Sequence, residues 1–82
     1  MAKVTLPLDA ARTFANGVQE VEVPARDVRE LLRLLDERFP GVGARLRTRT
    51  AVAIDGQIYQ DALFQEIGPD SEVHILPQIA GG

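Results

Sequence analysis

Asp27-Val28-Arg29-Glu30-Leu31-Leu32-Arg33-Leu34-Leu35-Asp36-Glu37-Arg38-Phe39-Pro40-Gly41 is the stretch on which the fold turns. Asp27 and Glu30 stand at capping-box spacing, with Asp in place of Ser or Thr. One carboxylate accepts an orphan backbone N–H and the other reaches back, so a helix is predicted to start there. Val28, Leu31, Leu32, Leu35 and Phe39 recur at i, i+3, i+4, i+7 and i+11, while Arg29, Arg33, Glu37 and Arg38 fall mainly off that stripe. One face is therefore core and the other faces water. Burying five such side chains at about 1.5–3 kcal/mol each yields roughly 8–15 kcal/mol gross, before conformational entropy is subtracted. Pro40-Gly41 ends the helix, because proline biases Phe39 away from helical angles and glycine permits the turn.

On either side of this helix the period changes to two. Val4, Leu6 and Leu8 alternate with Lys3, Thr5 and Pro7, the pattern of a half-buried first strand. Asn16-Gly17 supplies residues tolerant of positive φ, and Val18 to Val23 reads as a second strand in which Val21 and Val23 alternate with Glu20 and Glu22. Residues 9–16 between them read as a loop containing a turn of helix. After the helix, Ala51-Val52-Ala53-Ile54, Asp55-Gly56 and Gln57-Ile58-Tyr59 spell a strand, a tight turn and a short returning strand, with Val52 and Ile54 inward. Gly68-Pro69-Asp70-Ser71 is a turn cluster, and Glu72-Val73-His74-Ile75-Leu76-Pro77 is a last strand. Val73 and Ile75 share one of its faces, and His74 and Leu76 the other. The order strand, strand, helix, strand, short strand, strand predicts an α+β fold, a mixed sheet of four to five strands packed on one main helix. The domain is expected over 1–77, with 78–82 as a flexible C-terminal tail.

Composition bounds the function. Eighty-two residues leave room for one small domain and exclude a large two-lobed enzyme. With 45% hydrophobic and 26% charged residues the chain has the make-up of a folded protein. Zero cysteines remove disulfides, thiolate metal sites and thiol nucleophiles. A net charge of −3 gives no electrostatic footprint for nucleic acid. No apolar run is long enough for a signal peptide or approaches the roughly 20 residues of a membrane span, so the expected location is cytoplasmic, with no membrane partner. No phosphate-binding or dinucleotide motif is present.

Past Pro77 the sequence reads Gln78-Ile79-Ala80-Gly81-Gly82. The element order, the Asp55-Gly56 hairpin, the Gly-Pro-Asp turn and the run from Val73 to Gly82 resemble the ubiquitin-like sulfur carriers of the MoaD and ThiS type, over essentially the whole chain. The resemblance implies the β-grasp fold. It also implies a carrier and cosubstrate rather than an enzyme, with no permanently bound cofactor. In such a protein the Gly82 carboxylate is adenylated by an activating enzyme that uses ATP. A sulfur donor, a sulfurtransferase or cysteine desulfurase, converts it to a thiocarboxylate. The sulfur then passes to an acceptor such as a synthase subunit, in molybdopterin, thiamin or related biosynthesis. Gly81, Ala80 and Ile79 are the expected tail-recognition residues.

The residue chemistry agrees with this reading. A terminal carboxylate is anionic at neutral pH and nucleophilic toward an activated phosphate. Two glycines remove every Cβ near its carbonyl, which suits threading through a narrow channel. Six extended residues from Pro77 reach about 20 Å. Two alternatives remain open from sequence: a protein modifier conjugated through Gly82 to target lysines, for which Lys3 is the only lysine of its own chain, and a non-catalytic binding subunit.

His74 and Leu76 match the positions of ubiquitin's recognition patch, with Ala53 at its third position as a smaller residue. They are read either as a partner surface or as ordinary scattered surface apolarity. No second His and no Cys stand near His74 to make it a metal ligand or catalytic base, and no metal site is expected. Arg45, Arg47 and Arg49 alternate, which in an extended segment would present three guanidiniums on one side to an acidic partner or a phosphate. The competing reading is a solvated loop edge. Asp36, Glu37, Glu20 and Glu22 are read as solubilising charges.

Overall fold

The computed structural model describes residues 1–47, 50–60 and 62–77. Its elements are β1 (Ala2–Thr5), α1 (Leu8–Phe14), β2 (Glu20–Val23), α2 (Val28–Arg38), α3 (Val42–Arg47), β3 (Thr50–Ile54), β4 (Gln57–Tyr59) and β5 (Glu72–Pro77). The five strands form one mixed sheet in the order β2-β1-β5-β3-β4, in which β1 and β5 are parallel and the other neighbouring pairs antiparallel.

The amphipathic stripe becomes the centre of the core. Val28, Leu31, Leu32 and Leu35 are buried, and Phe39 packs against them half-buried. The sheet supplies Val4, Val21, Val23, Val52, Ile54, Val73 and Ile75 from its inner face. Asp27 caps α2 as its spacing predicts, its Oδ1 accepting the Glu30 N–H at 2.7 Å. The reciprocal bond goes one residue upstream, with Glu30 Oε1 accepting the Arg26 N–H at 2.8 Å. The Asp55-Gly56 hairpin takes positive φ at both positions, 50° and 87°, as a two-residue turn of this handedness requires.

Several expectations need correcting. The second strand starts at Glu20 rather than Val18, and Val18 is exposed. Residues 9–16 form more than a turn of helix: α1 buries Ala10 and Ala11, then ends in Asn16 and Gly17 at φ 51° and 86°. The segment holding Arg45 and Arg47 is the helix α3, not an extended strand. At about 100° per residue, two positions apart points these side chains about 200° from each other, so the one-sided row that an extended segment would give does not form. Arg45 pairs with Asp9 of α1, and Arg49 lies outside the described residues.

Asp36 is not merely solubilising. Its Oδ1 accepts the N–H groups of Gly41 at 3.1 Å and Gly43 at 2.9 Å, which ties the end of α2 to the first turn of α3. Gly41 adopts φ 98°, and a Cβ there would meet the Phe14 ring at 2.8 Å. The turn between the helices therefore depends on glycine both for its backbone angle and for the approach of α1.

Candidate functional site

β5 is the middle strand of the sheet, flanked by β1 and β3. Its register sets Val4 beside Val73 on one side and Val52 beside Ile75 on the other. Val73 and Ile75 are 0% and 2% exposed, so the strand is anchored through its inward side chains up to the point where residues 78–82 begin. A strand paired on both edges is the firmest mount a sheet offers for a segment that another protein must hold.

A polar latch fixes the start of β5. Asp55 Oδ1 accepts the Glu72 N–H at 2.9 Å and its Oδ2 accepts the Ser71 hydroxyl at 2.8 Å, while the Ser71 Oγ accepts the Gly68 N–H at 2.9 Å. The Asp55 N–H donates in turn to the Glu72 carbonyl at 2.9 Å. The Glu72 amide first, and the Ser71 hydroxyl second, hold the Asp55 carboxyl below the ordinary carboxylate value. The β3–β4 hairpin and the Gly68–Ser71 turn are thereby locked to the strand that leads to the chain end.

On the outer face the register places His74 between Thr5 and Ala53, and Leu76 opposite Ala51. His74 is exposed and Leu76 half-buried. Ala53 does lie with them, but at 8% exposure it forms a floor rather than a protruding contact. Ile58 stands opposite Ala53 across the hairpin and is 60% exposed. It supplies the apolar bulk that Ala53 lacks, and sequence reasoning missed it. The signal was available, since a two-residue Asp-Gly turn pairs position 53 with position 58. The other half of the face is acidic, with Glu22 and Glu72 as the cross-strand neighbours of Lys3 and Glu20 beside Thr5.

The tail residues Ile79, Ala80, Gly81 and Gly82 lie outside the described residues. Among the described residues no cluster of His, Cys, Asp or Glu is suited to hold a metal ion, and no helix is long and apolar enough to cross a membrane.

The sequence model of the ThiS family matches residues 8–82. The molybdopterin synthase sulfur carrier subunit of Pyrenophora tritici-repentis (strain Pt-1C-BFP) is 31% identical over 77 residues, spanning 89% of this chain and 82% of that protein. A chain from the crystal structure of the Amycolatopsis orientalis BexX/CysO complex superposes with a TM-score of 0.85 at 26% identity, over 100% of both chains. Mycobacterium tuberculosis CysO superposes with a TM-score of 0.85 at 16% identity, over 96% of this chain and 100% of that one. SAMP1 from Haloferax volcanii gives 0.71 at 20% identity, over 99% and 98%. The fold is the β-grasp, as the resemblance to the sulfur carriers implied.

Proposed function

The chain belongs to the ThiS family and is a ubiquitin-like sulfur carrier, and from that premise we propose that the sulfur travels on the carboxylate of Gly82. An oxygen of that carboxylate attacks the α-phosphorus of ATP on an activating enzyme. Pyrophosphate leaves and an acyl-adenylate forms. A sulfide-level nucleophile delivered by a sulfur donor then attacks the carbonyl carbon and AMP departs, which leaves a thiocarboxylate. The thiocarboxylate sulfur attacks an electrophilic carbon of the acceptor and displaces its leaving group, and water then cleaves the C–S bond to the Gly82 carbonyl, which leaves the sulfur on the acceptor and restores the carboxylate. The chain contributes a reactive end group, a slim tail and a rigid mount, whereas the cations and bases belong to its partners.

The observation that carries this reading is that the family match runs through the terminal Gly81-Gly82 pair. The mount described above supports it: β5, paired on both edges and latched by Asp55, is the element that runs into residues 78–82. Ile79, Ala80 and Gly81 are the tail positions that a partner's channel would read. The face made by His74, Leu76, Ala53 and Ile58 is the partner-contact surface beside it. The acceptor in this reading is a biosynthetic synthase subunit, molybdopterin synthase or a related enzyme. That choice follows from the identity to a molybdopterin synthase sulfur carrier subunit.

The test is exchange of labelled pyrophosphate into ATP by the activating enzyme. Exchange is expected to depend on this protein and to be lost when Gly82 is deleted, with the thermal unfolding of the body unchanged. Exchange that survives the deletion would contradict the proposal.

A further inference from the structure

The outer face of the sheet is divided by charge, and the strand register sets the division. Glu22, Lys3 and Glu72 stand side by side on β2, β1 and β5. The next row crosses all five strands as Glu20, Thr5, His74, Ala53 and Ile58. With neighbouring strands about 4.8 Å apart, Glu20 and Ile58 stand about 19 Å from each other, with His74 midway. The three glutamates, Lys3 and His74 are exposed and alternate along their strands with buried valines and Ile75, so their side chains project from this face. Three carboxylates against one ammonium leave it with a formal charge of −2, out of −3 for the whole chain. The other half is apolar: Ile58 is 60% exposed and Leu76 half-buried, over a floor of Ala51 and Ala53.

The bonding of the carboxylates sets this face apart from the helices. There, Asp9 pairs with Arg45, Asp27 caps α2, Asp36 holds the Gly41 and Gly43 amides, Glu30 faces Arg26 and Arg33, and Glu37 faces Arg33. Among the described residues, the side chains of Glu20, Glu22 and Glu72 make no hydrogen bond or ion pair. Glu66 and Asp70 are unpaired as well, but they stand outside the strands. The seven described arginines lie on the three helices or, as Arg26, just before α2. Arg38 reaches the sheet, where it donates to the backbone carbonyl of Glu22 at 3.3 Å and not to its carboxylate. The chain thus matches its helical carboxylates with its own donors and leaves three on the sheet face to be matched from outside.

We propose that this divided face docks a segment of a partner protein in which arginine or lysine side chains stand about 10–20 Å from an apolar one. The cations meet Glu20, Glu22 and Glu72, and the apolar group packs on Ile58, Leu76 and the alanine floor. The inference rests on the reading of His74, Leu76, Ala53 and Ile58 as a partner surface and adds to it the charge of the partner. Lys3 offsets one carboxylate of its own row, whereas Glu20 in the next row has the neutral Thr5 beside it. An acidic partner would meet like charges here. Exposed ion pairs contribute little each, so the apolar half supplies most of the affinity, and the acidic half governs the choice of partner and the rate of encounter.

The probe is the acetylated and amidated peptide Arg-Arg-Arg-Gly-Gly-Leu-Leu, titrated into the isotope-labelled full chain and followed by amide chemical shifts. Saturable shifts are expected at residues 3, 20, 22, 58, 72, 74 and 76. Affinity is expected to fall about tenfold in E20Q/E22Q/E72Q and several-fold in I58A, with unfolding midpoints unchanged. The same peptide with Gln for Arg is expected to bind about tenfold more weakly, and added salt should weaken the parent more than the triple variant. Equal binding of the Gln peptide, equal binding by the triple variant, shifts confined to α1, α2 and α3, or no saturable shift up to about 5 mM peptide would each overturn the proposal. Full competition by spermidine at the peptide's concentration would overturn it in favour of a small-cation site, and shifts of the same residues on dilution of the chain alone would overturn it in favour of a second copy. The titration uses neither ATP nor an activating enzyme, so its failure leaves the pyrophosphate exchange standing, and a failed exchange leaves the titration standing.

Discussion

Gly43→Ala tests the junction of α2 and α3 with a prediction whose sign is not the intuitive one. Gly43 sits in the first turn of α3 at an ordinary negative φ, and replacing a helical glycine by alanine normally stabilises by up to about 1 kcal/mol. Here the added Cβ would stand 2.9 Å from Asp36 Cβ, 3.0 Å from its Oδ1 and 3.1 Å from its Cγ. Asp36 Cβ is one bond from the α2 backbone, so it cannot swing aside as the end of a long side chain would. Either the helices separate or the carboxylate leaves the Gly41 and Gly43 amides, and losing a cap costs about 0.5–2 kcal/mol. Adding the strain of a sub-van-der-Waals contact and subtracting the propensity gain leaves a net loss of about 1 kcal/mol. In a domain of this size that corresponds to a fall of about 4–8 °C in Tm. Urea unfolding followed by circular dichroism measures it. The cycle with Asp36→Ala sharpens the test: each change alone removes the same cap, so the double variant should fall short of the summed losses by about 0.5–1 kcal/mol. A Gly43→Ala protein as stable as the parent or more so, or strict additivity with Asp36→Ala, would refute the reasoning.

Two further predictions concern the latch and the outer face. The Asp55 carboxyl titrates lower folded than unfolded, so its stabilising contribution is complete above the unfolded value near 4 and is lost as pH falls through the folded one. Urea midpoints between pH 7 and pH 3 should therefore drop less steeply for Asp55→Asn than for the parent, and parallel curves would remove the latch from the account. Leu76→Glu places a charge in the middle of the apolar half of the sheet face. It should weaken the complex with the activating enzyme by about 1–3 kcal/mol, measured by calorimetry, with little change in Tm; an unaltered affinity would exclude that face from the contact.

How far the sequence could be read depended on how local the signal was. α2 carried its whole specification in order: a cap at Asp27, a stripe from Val28 to Phe39 and a Pro40-Gly41 stop. The hairpin at Asp55-Gly56 was equally self-contained. α1 was shortened on reading because its buried positions are Ala10 and Ala11, too small to stand out as a stripe. α3 was not legible as a helix, because three alternating arginines carry no helical period. The helical pair Val42 and Leu46, both buried, is only one repeat long, too little to outweigh that alternation. The bonds of Asp36 to Gly41 and Gly43, and of Asp55 to Ser71 and Glu72, link segments whose packing no periodicity reports. At the candidate site, alternation puts His74 and Leu76 on one face and the likeness to ubiquitin's patch adds Ala53, and the register sets Ala53 beside His74. Ile58 joined them only once the hairpin register was known.

The central claim is that sulfur is carried at Gly82. It is tested most directly by intact-protein mass spectrometry with fragmentation, after incubation with ATP, the activating enzyme and a sulfur donor. The account predicts a mass gain equal to one oxygen replaced by one sulfur, localised to the terminal fragment that contains Gly82 and absent when Gly82 is deleted. No gain with an enzyme shown to adenylate this protein, or a gain localised to any fragment lacking Gly82, would contradict it.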